Sequence, residues 1–393
     1  ITNIIYGGVR AALEEVNADS TIAIGINPHG SSWLRLAKRL NPPGEDRLFI
    51  AGDYSAYDKK MPPELMEAAF DVLDALMDDH NGYMRLSRRD QRNLCLLFGL
   101  PLRETIYGFD LRLRRAREGV RQGICHPSIM LTDHVVYPRC GNPSGHPLTT
   151  VVNSIANTII LYTVMNTLAS PYVSGIISTL DVLEDCIALT TYGDDNVISI
   201  NPYVFDGQLA DIFTLRSIQK CIKQVFGLEY TDADKTDEHD THITWDEVFF
   251  LKRKFPSQHA YYIHVEQAPL DIRVIEQMIF HFKPTGIRCV DSLNDVLKAA
   301  EREACMHGES EYNRIARSIN AAITRFPSLT TDNGPCFQVI HQAHLVHRFR
   351  HYNTVYNEID RTPTDELYRE YEQAPCLPDG SLPLPPGALY EGL

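Results

Sequence analysis

The chain is short of positive charge: 37 lysines and arginines stand against 51 aspartates and glutamates, a net charge of −14 over 393 residues. That balance excludes a protein that grips nucleic acid through a uniformly basic surface. It leaves room for local basic tracks. One lies between Arg103 and Arg121, where Arg103, Arg112, Arg114, Arg115, Arg117 and Arg121 meet only Glu104, Asp110 and Glu118. Lys252-Arg253-Lys254 is another. Paired cysteines are also lacking: the nine are scattered, odd in number and contain no CxxC. This argues against a disulfide framework or zinc knuckle and fits a reducing compartment. The longest apolar stretch, Val151 to Leu168, is interrupted by Asn153, Asn157 and Asn166. It therefore predicts a buried helix instead of a membrane span. Walker loop, nucleophile elbow, GxGxxG fingerprint and internal repeat are all missing. So is a signal peptide, and Ile1 in place of methionine reads as a processed product or an excerpt.

What is present is 44% hydrophobic sequence, enough for two or three lobes. Helices are predicted over 9–16 and 33–40, and Asn41-Pro-Pro-Gly44 breaks the chain before a short apolar strand, Leu48 to Tyr54. Pro62-Pro63-Glu64 opens a helix whose face is Leu65, Ala68, Ala69, Val72, Leu73 and Leu76. Residues 81–140 show no dominant period. Val135 to Tyr137 reads as a strand feeding the loop Gly141-Asn-Pro-Ser-Gly145, then a helix over 148–168. Further helices are predicted over 209–226, 274–282, 293–306, 315–324 and 339–350, with a strand over 247–254. Strands among helices, followed by helices alone, predict an α+β sheet domain with a separate helical lobe.

Tyr192-Gly193-Asp194-Asp195 sits between the β-rich runs 187–191 and 197–200, which places two carboxylates at a hairpin tip. Gly193 and Asn196 tolerate the φ values a tight turn demands. Upstream, Asp53 and Asp58 close Asp53-Tyr-Ser-Ala-Tyr-Asp58. Five residues apart on a continuous strand they would face opposite sides, so the chain must leave the strand if both serve one site. Carboxylates from two strands are what hard divalent cations need; the bland alternative is two solvated turns. Thr149, Asn153 and Asn157 recur at i, i+4 and i+8 on an otherwise apolar helix. Such a stripe bonds neighbouring backbone or faces a polar cavity. Ser144-Gly145 just before it offers a hydroxyl and bare N–H groups. Lys235 stands among Asp232, Asp234 and Asp237; an EF-hand there fails because the sixth place is Asp237 and the twelfth Ile243. His239 and His242 lack further ligands at metal spacing.

Together these motifs resemble the RNA-dependent RNA polymerases of positive-strand, picorna-like RNA viruses. Five elements stand in that family's order: Asp53 to Asp58; Ser144-Gly145 with Thr149 and Asn153; Tyr192 to Asp195; Asp234-Lys235; and Phe250-Leu-Lys-Arg253. The resemblance implies a right-hand fold with an antiparallel palm sheet, flanking helices, a helical thumb and partial fingers. Its segments would be 1–47 (remnant of fingers), 48–80 (first part of the palm) and 81–140 (arginine-rich insertion). The second part of the palm would be 141–254, the thumb 255–375 and a Pro/Gly-rich tail 376–393.

The resemblance also implies roles. Asp53 and Asp194, helped by Asp195, would hold two magnesium ions, with manganese as a substitute, for transfer from NTPs to an RNA 3′-hydroxyl. Asp58, Ser144, Gly145, Thr149 and Asn153 would recognise the incoming nucleotide and its ribose 2′-hydroxyl. Lys235 would protonate pyrophosphate. Lys252 and Arg253 would grip the primer backbone, and Arg112, Arg114 and Arg115 would follow template or product RNA. Other viral replication proteins would be partners, in host cytoplasm at membrane-associated replication complexes.

The basic finger strands expected upstream are missing from residues 1–48, so a finger segment outside this chain would be needed for efficient elongation. The long interval between Asp53 and Ser144 is closer to insect picorna-like viruses (dicistroviruses or iflaviruses). A reverse transcriptase is the neighbouring reading, and Asp58 with Asn153 argues against it; a non-catalytic RNA-binding scaffold would have no use for carboxylates at both Asp53 and Asp194.

Overall fold

The computed structural model describes residues 2–78, 106–172, 183, 186–203, 208–232, 241–257, 268–278, 289–325, 330–331, 334–335 and 342–357. In chain order the elements begin with α1 (Thr2–Glu15), α2 (Ser31–Leu40), β1 (Leu48–Tyr54), α3 (Tyr57–Lys60), α4 (Pro63–Asp78) and α5 (Ile106–Cys125). There follow β2 (Ile129–Leu131), β3 (His134–Val136), α6 (Thr149–Ala169), β4 (Ile187–Tyr192), β5 (Asp195–Ile200), α7 (Gln208–Ile212), α8 (Leu215–Phe226) and β6 (Tyr230–Asp232). The chain continues through β7 (Phe249–Phe250), β8 (Arg253–Lys254), α9 (Ile272–Met278), α10 (Cys289–Cys305), α11 (Glu309–Arg325), β9 (Thr330–Thr331), β10 (Gly334–Pro335) and α12 (Gln342–Asn357). Two compact units form, Ile1–Ile26 with Arg39–Leu251 and Asn27–Lys38 with Lys252–Leu393.

The first unit is built on an antiparallel sheet of order β4-β5-β1-β6. β1 is buried along most of its length, as its apolar sequence requires of a central strand. Residues 21–23 cover the outer edge of β4: Thr191 donates its N–H to Thr21 O (2.7 Å) and accepts from the Ala23 N–H at 2.9 Å. Helix α6 packs against β4, α4 and α8. It is long and apolar enough to cross a membrane, yet Val151, Ile155, Ile160, Leu161, Val164 and Met165 are buried within the unit. Each such side chain contributes roughly 1.5–3 kcal/mol. The expected buried helix is thus the centre of the core.

Four of the differences from the sequence reading have a local reason. The segment without a period contains α5, a helix interrupted by Gly108, Gly119 and Gly123 and crowded with arginine. The single helix expected over 209–226 is two, because Thr214 adopts an extended conformation and forms a capping box with Ser217 that starts α8 afresh. β6 arises inside what reads as an acidic loop. Its Tyr230 crosses over β1 so closely that a Cβ on Gly52 would lie 1.9 Å from the phenol oxygen, which only glycine permits. The strand expected over 247–254 is broken, since Leu251 and Lys252 both take left-handed φ (53° and 58°).

The second unit is helical around Ile275, Leu297, Ala300, Ala304, Tyr312, Ile315 and Leu345. Trp33, fully buried, stacks on Phe255 with ring centroids 4.9 Å apart. Arg253 meets Glu303 through two hydrogen bonds of 2.7 Å, and His29 lies 3.3 Å from the same carboxylate.

Candidate active site

The hairpin tip follows from turn chemistry. Tyr192 pairs with Asp195, leaving Gly193-Asp194 as a two-residue loop. Gly193 has φ +63° and Asp194 is not in the left-handed region, the pattern of a type II′ turn with glycine first. Asn196, by contrast, is ordinary strand backbone and has no turn role; its side chain carries the function described below.

Register brings the backbone of the acidic residues together. Gly52 pairs with Asn196, so the next residue of β1, Asp53, stands beside Asp195 and the turn bearing Asp194, with neighbouring strands about 4.8 Å apart. Tyr54 turns toward α6, where its hydroxyl donates to Asn157 (3.0 Å). Alternation therefore sends Asp53 and Asp195 to the opposite face. Beyond Tyr54 the chain leaves the strand through left-handed Ala56 (φ 58°) and enters α3, which presents Asp58. The break expected between Asp53 and Asp58 is present. Burial pushes the Tyr57 hydroxyl well above its ordinary pKa, and the charges of Asp194 and Asp58 push it further.

The turn is held by amides. Asn157, fully buried, donates through Nδ2 to Gly193 O and Asp194 O at 3.0 Å each. Ser154 Oγ accepts from the Gly193 N–H at 2.7 Å. From the other side Asn196 Nδ2 donates to Gly52 O (3.2 Å) and Asp194 O (3.0 Å), while its Oδ1 accepts from the Tyr230 hydroxyl (2.6 Å). These bonds fix the backbone that carries Asp194, a residue exposed at the turn.

A second cluster surrounds Asp58. Asn153 Nδ2 donates to Asp58 Oδ1 at 2.5 Å. Its Oδ1 accepts from Asn142 Nδ2 (2.8 Å), and Asn142 Oδ1 accepts from His146 Nε2 (2.8 Å). The loop is laid against α3: the N–H groups of Gly141 and Asn142 donate to Met61 O and Asp58 O, each at 2.7 Å. Thr149 Oγ1 donates to Pro143 O (3.1 Å) and His146 O (3.0 Å), which closes the loop onto α6. Ser144 and Gly145 are exposed at the loop tip, and Gly145 has φ +95°.

The basic residues divide. Arg114 and Arg115 are exposed on α5. Arg117 turns onto Asp74 (3.7 Å) and Arg121 onto Asp71 (2.6 Å), so part of the arginine track is neutralised by α4. Arg112 belongs to α5, but its side chain lies outside the described part of the structure. Lys252 is exposed, whereas Arg253 is committed to Glu303 and to Ala268 O (2.9 Å). Lys235, Asp234, His239 and the tail 376–393 lie outside the described residues.

Sequence reasoning passed over Asn142 and His146 and gave Asn196 only a turn role. The signal for Asn142 and Asn196 was faint: each is an amide directly beside a motif, and each is almost completely buried.

The donor set of Asp53, Asp194 and Asp195, all carboxylate oxygen, fits a hard divalent cation. Among the described residues no group of three or more acidic, histidine or cysteine side chains is arranged to hold a metal ion by itself. Magnesium suits such a site, since it takes one or two carboxylates and completes its shell with water and substrate phosphate.

Comparison with known proteins gives the family and the fold. Residues 5–323 match the family model of viral RNA-dependent RNA polymerase. The replicase polyprotein of Drosophila C virus is 28% identical over 305 residues, 76% of this chain and 15% of that protein. The genome polyprotein of rice tungro spherical virus (strain A) is 26% identical over 335 residues, 83% of this chain and 8% of that protein. Insect-virus relatives thus stand beside a plant-virus one, and the insect-virus expectation is not exclusive. A solved Sicinivirus 3Dpol RNA dependent RNA polymerase superposes with a TM-score of 0.59 at 18% identity, covering 89% of this chain and 60% of that one. The architecture is accordingly the right-hand polymerase fold, with antiparallel sheets among helices. With the family model spanning all the motifs around Asp53, Asn153 and Asp194, the chain belongs to the viral RNA-dependent RNA polymerases.

Proposed function

We propose that this chain synthesises RNA on a template by transferring nucleotides from NTPs to an RNA 3′-hydroxyl, as part of viral genome replication. The observation that carries the reading is the register of β1 against β5, which sets Asp53 beside the Asp194-Asp195 turn. Asp53 and Asp194, with Asp195 in support, would hold two magnesium ions or manganese in their place. When bound, such ions lower the pKa of the attacking hydroxyl and offset charge on the triphosphate. Asp58 and Asn153 meet the ribose, and Ser144-Gly145 at the loop tip border the same nucleotide. Thr149 shapes that loop from within.

The exposed Arg114, Arg115 and Lys252 track RNA phosphates, together with Arg112 of the same helix. Arg253 supports the primer-facing turn by anchoring it. Lys235 acts as the general acid for pyrophosphate. In domain terms the first unit is palm with part of the fingers, and the second is thumb. Template and product RNA are the macromolecular ligands, with other viral replication proteins as partners in the host cytoplasm, at membrane-associated complexes.

The test is primer extension by the chain on a primed RNA template with magnesium. Asp194→Asn removes a charge that balances the metals and should lower nucleotide addition on the order of a thousandfold, the worth of several kcal/mol of transition-state stabilisation. RNA affinity should persist. Extension by Asp194→Asn at the unmodified rate would overturn the reading.

A further inference from the structure

The hydrogen bonds around Asn153 have a direction, and that direction assigns work to two loop residues. The Leu148 N–H donates to His146 Nδ1 at 3.2 Å, so Nδ1 is the bare nitrogen and Nε2 carries the proton. Burial lowers the pKa of His146, which keeps the ring in this neutral state. Nε2–H then donates to Asn142 Oδ1. This settles which end of the Asn142 amide is which, and its Nδ2 is spent on Asn153 Oδ1 and on Thr149 O (3.3 Å). Asn142 is 3% exposed and cannot exchange these partners for water. The Asn153 amide is oriented in turn, with Oδ1 occupied and Nδ2 facing Asp58.

Reversing any link would turn an oxygen toward an oxygen. If Asn153 flipped, its carbonyl would oppose the Asp58 carboxylate and the Asn142 amide nitrogen would face a nitrogen. The second N–H of Asn153 Nδ2 has no acceptor among the described residues, and it sits next to a carboxylate. That pair matches a hydroxyl group, which donates one hydrogen bond and accepts another.

We propose that Asn142 and His146 are positioning residues for sugar selection: acting through Asn153, they hold its remaining N–H and the Asp58 carboxylate as donor and acceptor for one ribose hydroxyl. The proposal rests on the reading of Asp58 and Asn153 as ribose contacts. It goes beyond that reading by assigning specificity to residues that need not touch the nucleotide. A 2′-deoxynucleotide cannot use the pair, so only ribonucleotides gain from its alignment.

The experiment compares kcat/KM for an NTP and its 2′-deoxy analogue in unmodified polymerase, Asn142→Asp, His146→Leu and His146→Gln. Asn142→Asp keeps size but offers Asn153 Oδ1 no donor. It should cut ribonucleotide preference about tenfold, the effect of one misplaced hydrogen bond, with deoxynucleotide use within about twofold of the original. His146→Leu should do the same, and His146→Gln, which retains an N–H, should keep most of the preference. Competition between the two nucleotides in equilibrium binding gives the same comparison without turnover. Equal losses for both sugars would reduce Asn142 and His146 to loop structure and overturn the proposal, as would unchanged preference. Absence of ribonucleotide preference in the unmodified protein would instead sink the proposed function.

Discussion

Two buried polar clusters, one in each unit, solve the same problem by different means. In the first unit, His146, Asn142 and Asn153 are neutral groups passing hydrogen bonds one way toward Asp58. In the second, Arg253 and Glu303 meet as full charges through two 2.7 Å bonds, with both side chains 12% exposed. A chain of amides has polarity, so it transmits orientation from one residue to the next. An ion pair has strength, so it fixes a place. Its price is the desolvation of both charges, and either partner left alone would be stranded.

The largest effect should come from breaking the ionic cluster. Glu303→Ala leaves Arg253 buried without its counter-charge and should cost about 3–5 kcal/mol in urea unfolding of the whole chain. Replacing both partners with apolar residues of like size should cost much less; an equal cost would show that packing, not charge, carries the site. Acid probes the same pair. Burial alone would raise the Glu303 carboxyl, but hydrogen bonds from His29 and Arg253 and their charges outweigh it and hold the pKa at about 2. A carboxyl depressed on folding stabilises above its unfolded value and loses that contribution as pH falls toward the folded one. Unfolding followed between about pH 4.5 and pH 2 should therefore show a decline of about 3 kcal/mol assignable to Glu303, and Glu303→Gln should remove that component.

An intermediate effect is expected from Asn157, the amide that holds the Gly193-Asp194 turn. Asn157→Asp replaces two donors with lone pairs facing the carbonyls of Gly193 and Asp194, at about 1–3 kcal/mol. Because those carbonyls belong to Asp194 and the residue before it, and Asp194 is a proposed metal ligand, nucleotide addition should fall and the magnesium concentration for half-maximal rate should rise. A lowered melting temperature with unchanged magnesium dependence would reduce Asn157 to a fold residue. The smallest effect belongs to Arg121, whose partner Asp71 is largely solvent-exposed. Arg121→Ala should cost less than about 1 kcal/mol; a loss as large as that from Glu303→Ala would erase the distinction between buried and exposed charge drawn here.

The parts legible in the sequence are those whose cause is local. Gly193-Asp194 between β-rich runs dictates a turn within four residues, and asparagines in an apolar helix stand out because they must be paired. Asn142 and His146 were not legible as more than loop polarity, since their meaning depends on Gly141 and Asn142 lying against α3, some eighty residues away in sequence. The same holds for Arg253. Next to two lysines it reads as a phosphate ligand, and only the tertiary fold supplies Glu303. β6 escaped notice because a three-residue strand has no period, and its evidence is the missing side chain at Gly52.

One consequence of α6 concerns how independently two properties of the enzyme can be tuned. Asn153 and Asn157 sit four residues apart, about 6 Å along one rigid rod. The first bonds Asp58, and the second bonds the turn that bears Asp194. The helix is thus a gauge block with two contacts, one to Asp58, the proposed sugar contact, and one to the turn of the proposed metal carboxylates. A slip of one residue would rotate both asparagines by about 100° and spoil both contacts at once. Substitutions that shift α6 as a body should lower sugar discrimination and turnover together, whereas those confined to the 141–146 loop can alter the first alone.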